Sequence, residues 1–225
     1  MKSNINLNEY IDHTLLKPEA TLSMIDTLCK EAKTYYFKAV CINPFYVNRA
    51  VTLLKNSNVK VCTVVGFPLG ANTTQTKVAE TINAIKDGAQ EIDVVINIGA
   101  LKDNDQKLVL QDLQAVRNAC PSNIILKVII ECSLLTTEQK IIACQLVTKV
   151  KADFIKTSTG FANGGATVAD IKLMKANIGP HVAIKASGGI KNEDDAMAMI
   201  NAGATRIGTS NGVAIISGHE AKGGY

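Results

Sequence analysis

Eight short segments rich in Val and Ile recur along the chain, and each is followed by a stretch with helical periodicity. They span 10–15, 39–43, 60–66, 91–97, 124–131, 153–158, 181–187 and 205–209. Runs such as Val94-Val95-Ile96 and Val128-Ile129-Ile130 are apolar on both faces. That pattern belongs to a parallel sheet covered on both sides, where each face meets protein rather than water. Parallel strands need long crossovers, and the amphipathic stretches 73–86, 104–119, 137–150, 168–176 and 193–201 supply them. In two places, Ile85-Lys86-Asp87-Gly88-Ala89 and Ile200-Asn201-Ala202-Gly203-Ala204, a glycine ends the helix before the next strand. Glycine suits a helix C-terminus because it adopts positive φ without strain. Eight strand–helix units in 225 residues predict an α/β fold, a (β/α)8 barrel. One domain over 1–225 is expected, with a short, mobile C-terminal tail. An open doubly wound sheet is the competing arrangement, but no G-x-G-x-x-G follows the first strand.

Two of the apolar strands contain a lysine. The segments are Phe154-Ile155-Lys156-Thr157-Ser158-Thr159-Gly160 and Val182-Ala183-Ile184-Lys185-Ala186-Ser187-Gly188-Gly189. An ammonium group in such a strand must leave water, at a large cost. Burial and a second nearby cation both favour the neutral amine, and a neutral amine attacks carbonyls. The two strands are consecutive, so the lysines are expected on neighbouring strands at about 4.8 Å spacing. Schiff-base chemistry is the functional reading. The structural alternative is that one lysine pairs with a carboxylate and supports the fold. Asp93, in the apolar segment Glu91-Ile92-Asp93-Val94, can serve as a proton shuttle or as the counter-ion of a barrel lysine, and both roles can hold together. Lys127 and Glu131 share a face of the fifth strand and Asp12 lies on the first. These three are expected to complete a buried charge network.

Active residues of such barrels lie at the C-terminal ends of the strands, with phosphate often held after the seventh and eighth. Ser187-Gly188-Gly189-Ile190-Lys191-Asn192 and Gly208-Thr209-Ser210-Asn211-Gly212 occupy those places. Backbone amides in glycine-rich turns suit phosphate oxygens. A third polar rim, Thr157, Ser158, Thr159 and Gly160, is placed to bind substrate hydroxyls. No metal is expected, because His13, His181 and His219 are scattered and no H-x-H or H-E-x-x-H occurs.

The net charge of +4 comes without any block of Lys or Arg, which gives nucleic-acid binding no support. No apolar run approaches the ~20 residues of a membrane helix, and no signal peptide is visible. Six cysteines without a C-x-x-C motif read as reduced thiols of a cytoplasmic protein.

The ordered motifs Asp12-His13-Thr14-Leu15-Leu16-Lys17-Pro18, Val40-Cys41-Ile42-Asn43-Pro44, Val64-Val65-Gly66-Phe67-Pro68-Leu69-Gly70 and Glu91-Ile92-Asp93-Val94-Val95-Ile96-Asn97 run nearly end to end with those around Lys156, Lys185 and Arg206. Together they resemble the deoxyribose-phosphate aldolases, class I Schiff-base aldolases. The resemblance implies reversible cleavage of 2-deoxy-D-ribose 5-phosphate to acetaldehyde and D-glyceraldehyde 3-phosphate, in deoxyribose phosphate catabolism, with no cofactor. It implies Lys156 as the imine-forming residue, Lys185 as the second lysine that activates it, and Asp93 as the proton-transfer carboxylate. Thr157, Thr159, Gly160, Ser187, Gly188, Gly189, Gly208, Thr209 and Ser210 are implied for substrate and phosphate, with Asp12, Lys127, Cys41 and Tyr225 as auxiliary residues. The chain departs from the family pattern at Lys191 and Asn211, where Arg and Ala are expected. Family members commonly form dimers or tetramers, so a homo-oligomer acting on small phosphosugars and aldehydes is expected, with no nucleic-acid or membrane partner. A pyridoxal-phosphate enzyme and a non-catalytic phosphosugar sensor are the competing functions.

Overall fold

The computed structural model describes residues 5–218. The chain alternates as β1 (Ile11–Leu15), α1 (Leu22–Thr34), β2 (Ala39–Ile42), α2 (Val47–Leu53), β3 (Lys60–Val65), α3 (Thr74–Lys86), β4 (Glu91–Val95), α4 (Ile98–Lys102) and α5 (Gln106–Ala119). It continues as β5 (Ile125–Ile129), α6 (Thr137–Lys149), β6 (Phe154–Lys156), α7 (Val168–Asn177), β7 (Ala183–Ser187), α8 (Glu193–Ala202), β8 (Arg206–Thr209) and α9 (Gly212–Ser217). The strands pair in sequence order and β8 returns to β1, closing a parallel barrel. This is the (β/α)8 arrangement, and the open sheet is excluded.

Local chemistry explains the boundaries. Thr21, Thr73, Asp105, Thr136, Thr167 and Asn192 each accept a backbone N–H with their side chains at a helix start, worth about 1 kcal/mol apiece. Thr136 and Gln139 form a reciprocal capping box. Gly88 and Gly203 have φ of 103° and 125° after α3 and α8, as the helix-stop reading required. Expected strands overrun the observed ones by one to three residues, because the last residues of several segments curl into the loops at the barrel mouth.

Alternation along the strands separates two environments. Outward residues such as Val40, Ile92, Val94, Leu126, Val128, Ile155, Ile184 and Ile207 join the helices in the main apolar core. The interior is different. On the β2–β3 side it holds a small cluster of Leu16, Ala39, Cys41, Cys62 and Val64. Across from these, β4 to β8 and β1 point Glu91, Asp93, Lys127, Lys156, Lys185, Arg206 and Asp12 inward, all 3% exposed or less. Barrels of this type are ordinarily filled by layers of branched apolar side chains. Here the β4–β8 and β1 side of the filling is ionic.

Candidate active site

Lys156 closes β6, and Lys185 is its register partner in the middle of β7. Register partners in parallel strands project their side chains to the same face, so both amino groups enter the barrel together. They converge on one atom. Oδ2 of Asp93 lies 2.9 Å from Lys156 Nζ and 2.8 Å from Lys185 Nζ. Oδ1 of the same carboxylate accepts from Lys127 Nζ at 2.8 Å. The carboxylate of Asp93, read from sequence as shuttle or counter-ion, therefore bonds three lysines.

The network continues away from the mouth. Lys185 also lies 2.6 Å from Asp12 Oδ2, and Arg206 bridges Asp12 at 2.7 Å and Glu91 at 3.0 Å. Glu91 in turn meets Lys127 at 2.5 Å. The Arg206 guanidinium lies over the Phe154 ring, 5.2 Å from its centroid. Asp12 and Lys127 thus join as expected, whereas Glu91 and Arg206 are members that the sequence reading did not single out. A signal for Glu91 was present, since it shares Asp93's face on a two-residue period.

Glu131 corrects an expectation. It was placed in the charge network with Lys127, but β5 ends at Ile129 and Glu131 adopts φ 54°, ψ 66°. This left-handed turn carries its carboxylate to the loop after Lys156. There it accepts from the Thr159 amide at 3.1 Å and from the Thr159 hydroxyl in a short hydrogen bond. Left-handed backbone at a non-glycine residue costs energy and persists where its surroundings enforce it.

Burial and charge act against each other in the cluster. Burial works to raise the Asp93 carboxyl, yet Lys127, Lys156 and Lys185 together hold it well below the usual carboxylate range. Burial likewise works to raise Asp12, and Arg206, Lys185 and Lys127 hold it low. Desolvation strips protons from buried lysines, but Asp12 and Asp93 keep Lys185 well above its ordinary value. Lys127 is raised in the same way by Asp93, Cys62 and Glu91. Replacing such networks by apolar side chains is often neutral or stabilising, so stability alone does not account for this one. Perturbed charges of this kind cluster at functional sites.

The two glycine-rich loops meet at the same end of the barrel. One cleft is lined by Gly188, Gly189, Ile190, Lys191, Gly208, Thr209, Ser210 and Asn211. Gly208 and Thr209 are the last residues of β8 itself rather than part of the following loop. Several of the candidate side chains brace these loops. Thr157 Oγ1 donates to the Ser187 carbonyl and accepts from the Ser187 amide, both at 3.1 Å. Ser187 Oγ donates to the Ser158 carbonyl at 2.6 Å, and Thr209 Oγ1 donates to the Ile190 carbonyl at 3.0 Å. The N-terminus of α8 is met by its own acids: Asn192 caps it, Asp195 accepts from the Lys191 amide at 2.9 Å, and Glu193 and Asp194 share the first turn. Gly160, with φ 86°, turns the chain beyond Thr159. A larger cleft of about 520 Å³ lies beside Tyr36, Lys38 and Val59, and neither Lys156 nor Lys185 lines it.

No metal motif is visible in the sequence, but the fold brings Cys41, Cys62 and Asp93 to within 4.8 Å of one another. Lys127 Nζ already sits 3.3 Å from Cys62 Sγ and 2.8 Å from Asp93. A divalent cation there would face that ammonium at close range. His13 lies apart from these groups and pairs with Glu31 at 2.7 Å. Tyr225 and His219 lie outside the described residues.

Residues 7–218 match the model of the DeoC/LacD family aldolases. The chain is 55% identical to the deoxyribose-phosphate aldolase of Brevibacillus brevis, over 98% of this chain and 100% of the relative. It is 56% identical to the deoxyribose-phosphate aldolase of Streptococcus uberis, again over 98% and 100%. Among solved structures, the tetrameric deoxyribose phosphate aldolase of Aeropyrum pernix superposes with a TM-score of 0.87 at 31% identity, covering 94% of this chain and 89% of that one.

Proposed function

The chain belongs to the DeoC/LacD family of aldolases, and from that premise we propose that it cleaves 2-deoxy-D-ribose 5-phosphate reversibly to acetaldehyde and D-glyceraldehyde 3-phosphate, with Lys156 as the imine-forming residue. Deoxyribose-phosphate aldolases are its relatives over nearly full length. The observation that supports the residue roles is the balance of charge in the barrel. Asp12, Glu91 and Asp93 supply three carboxylates, and Lys127, Lys185, Arg206 and Lys156 supply four basic groups. Lys127, Lys185 and Arg206 are each held protonated by the carboxylates around them. Lys156, whose one carboxylate partner is Asp93, is the fourth, and we assign it as the nucleophilic amine.

In this reading Lys156 Nζ attacks C1 of the open-chain sugar. The C1–O π bond opens, the nitrogen loses a proton, and the carbinolamine expels water to give an iminium. The C2–C3 bond then breaks as the C3 hydroxyl gives up its proton. Its electrons pass to C2 and form an enamine, and D-glyceraldehyde 3-phosphate departs as the aldehyde. Protonation at C2 regenerates an iminium, and water releases acetaldehyde and the free lysine. Asp93 is the proton carrier, because its Oδ2 bonds both lysines, and Lys185 supplies the fixed positive charge that keeps Lys156 neutral. The loops around Gly188–Gly189 and Thr209–Ser210 hold the phosphate, and Thr159, oriented by Glu131, faces the sugar hydroxyls. The chemistry needs no cofactor, since the iminium is itself the electron sink.

We further place the protein in the cytoplasm as a homo-oligomer. No helix among the described residues is long and apolar enough to cross a membrane. All six cysteines are free and buried, and the Aeropyrum relative is a tetramer.

The test is incubation with deoxyribose 5-phosphate, reduction with borohydride, and location of the adduct by peptide mass spectrometry. A reduced adduct on Lys156 is expected. An adduct on Lys185 would reverse the lysine roles, and a folded protein that binds the sugar without any adduct would overturn the aldolase.

A further inference from the structure

Cys41 and Cys62 are not used in the reaction described above, yet they sit beside it. They are register partners of β2 and β3, and neither exposes any surface. Neighbouring strands run about 4.8 Å apart, inside the Cα separation of roughly 4.4–6.8 Å that a disulfide spans. Partner side chains in a parallel pair point the same way, and here they point into the barrel. Their sulfur atoms lie within 4.8 Å of each other. Cys62 Sγ also donates to Asp93 Oδ1 at 3.1 Å and accepts from Lys127 Nζ at 3.3 Å.

The two thiols differ in character. The neighbouring Cys62 thiol pulls the Cys41 thiol below its ordinary value against the effect of burial, with Lys185 acting the same way. Burial pushes Cys62 up, as it does Cys29, Cys120, Cys132 and Cys144. The reactive form of cysteine is the thiolate, and cationic surroundings select it. Burial alone does not shield the pair. Lys156 is itself only 2% exposed and must admit a five-carbon sugar, whereas a peroxide is smaller.

We propose that Cys41 and Cys62 form an oxidisable dithiol, a modification site that hydrogen peroxide converts to an intramolecular disulfide and that silences the lysine cluster when closed. The Cys41 thiolate attacks one peroxide oxygen, the O–O bond breaks, and the sulfur becomes a sulfenic acid as hydroxide leaves. Cys62 then attacks that sulfur, its proton passing to the departing hydroxide. Two thiols and one peroxide give one disulfide and two waters, with two electrons moving from sulfur to oxygen. An external dithiol reverses the bond by exchange. Closure removes the proton that Cys62 donates to Asp93 and draws its sulfur away from Lys127. The loss of turnover rests on the role of Asp93 proposed above, but formation of the bond does not.

The experiment treats the intact protein with hydrogen peroxide, alkylates it, and digests it with trypsin without reduction. The cysteines fall in separate tryptic peptides, 39–49 and 61–77. The expected results are a linked 39–49/61–77 species, a fall in kcat with little change in KM, and recovery with dithiothreitol. Neither Cys62→Ala nor Cys41→Ala should give a linked species, and Cys41→Ala, compared with its own starting rate, should show no recoverable loss. A folded, peroxide-treated protein without the linked species would overturn the dithiol. A dithiothreitol-recoverable loss in Cys41→Ala equal to that of the unsubstituted protein would overturn it as well. A linked species with unchanged turnover would overturn the silencing and point to a fault in the role given to Asp93. Absence of aldolase activity before treatment would instead count against the proposed function, while the linked peptide would still decide the bond.

Discussion

Lys156 and Lys185 are register partners on adjacent strands, and their amino groups share one oxygen, Oδ2 of Asp93, at 2.9 and 2.8 Å. The two are chemically unequal despite that symmetry. Lys185 has a second carboxylate, Asp12, at 2.6 Å, so its proton is held from two sides. Position in the strand adds to the difference, since Lys156 ends β6 at the mouth and Lys185 sits within β7.

Lys185→Leu removes one cation and leaves Asp12, Glu91 and Asp93 against Lys127, Arg206 and Lys156. Asp93 then keeps only Lys127 and Lys156 as lysine partners, and the cation beside the nucleophile is gone. The rate profile should move to higher pH, with turnover near neutrality reduced by about 100-fold or more. Steady-state rates across pH check this, and an unshifted profile would refute the pairing.

Asp93→Asn withdraws the acceptor shared by three lysines. Turnover should fall by about 100-fold or more. Because cations are left buried without their partner, stability should fall by about 3–5 kcal/mol. Urea denaturation beside kinetics separates the two effects. A variant that keeps full stability would show that the lysines reorganise around Glu91 and Asp12.

Acid should unfold the protein through the same cluster. Asp12 and Asp93 are held below their unfolded values, so their contributions are fully present above about pH 4 and are lost as the pH falls through their folded values. Lys127 and Lys185 are held above theirs, so their contributions are present below about pH 10 and lost only as the pH rises further. A plateau between these limits is expected in urea midpoints measured against pH. Asp12→Asn should lower the plateau and flatten its acid limb.

Gly165→Ala tests the phosphate loop without touching a candidate contact. A Cβ at this position would lie 2.3 Å from the Gly188 carbonyl oxygen and 2.5 Å from its carbon, so the backbone of the cleft must shift. KM for deoxyribose 5-phosphate should rise on the order of 10-fold, with little effect on unphosphorylated deoxyribose. An equal change for both sugars would place the phosphate elsewhere.

The periodicity of this chain determined the barrel. Apolar strands at regular intervals, joined by amphipathic helices with capping residues and terminal glycines, carry the necessary signals within short windows of sequence. Lys156, Lys185 and Asp93 were legible for a related reason, because a charged residue in an apolar strand is conspicuous wherever it lies. Their convergence on one carboxylate oxygen was not legible, since that depends on register between strands far apart in sequence. Glu91 and Arg206 escaped notice because each stands at the start of its strand, where charge is ordinary; only barrel closure, bringing β8 beside β1, gives Arg206 both Asp12 and Glu91. Glu131 shows the opposite failure. A two-residue period placed it with Lys127, but a left-handed turn after β5 sent it to Thr159. The Cys41–Cys62 pairing is likewise a product of the β2–β3 register. Sequence determines what is local and repeated, whereas distances between side chains on different strands follow from the closure, stagger and turns of the barrel.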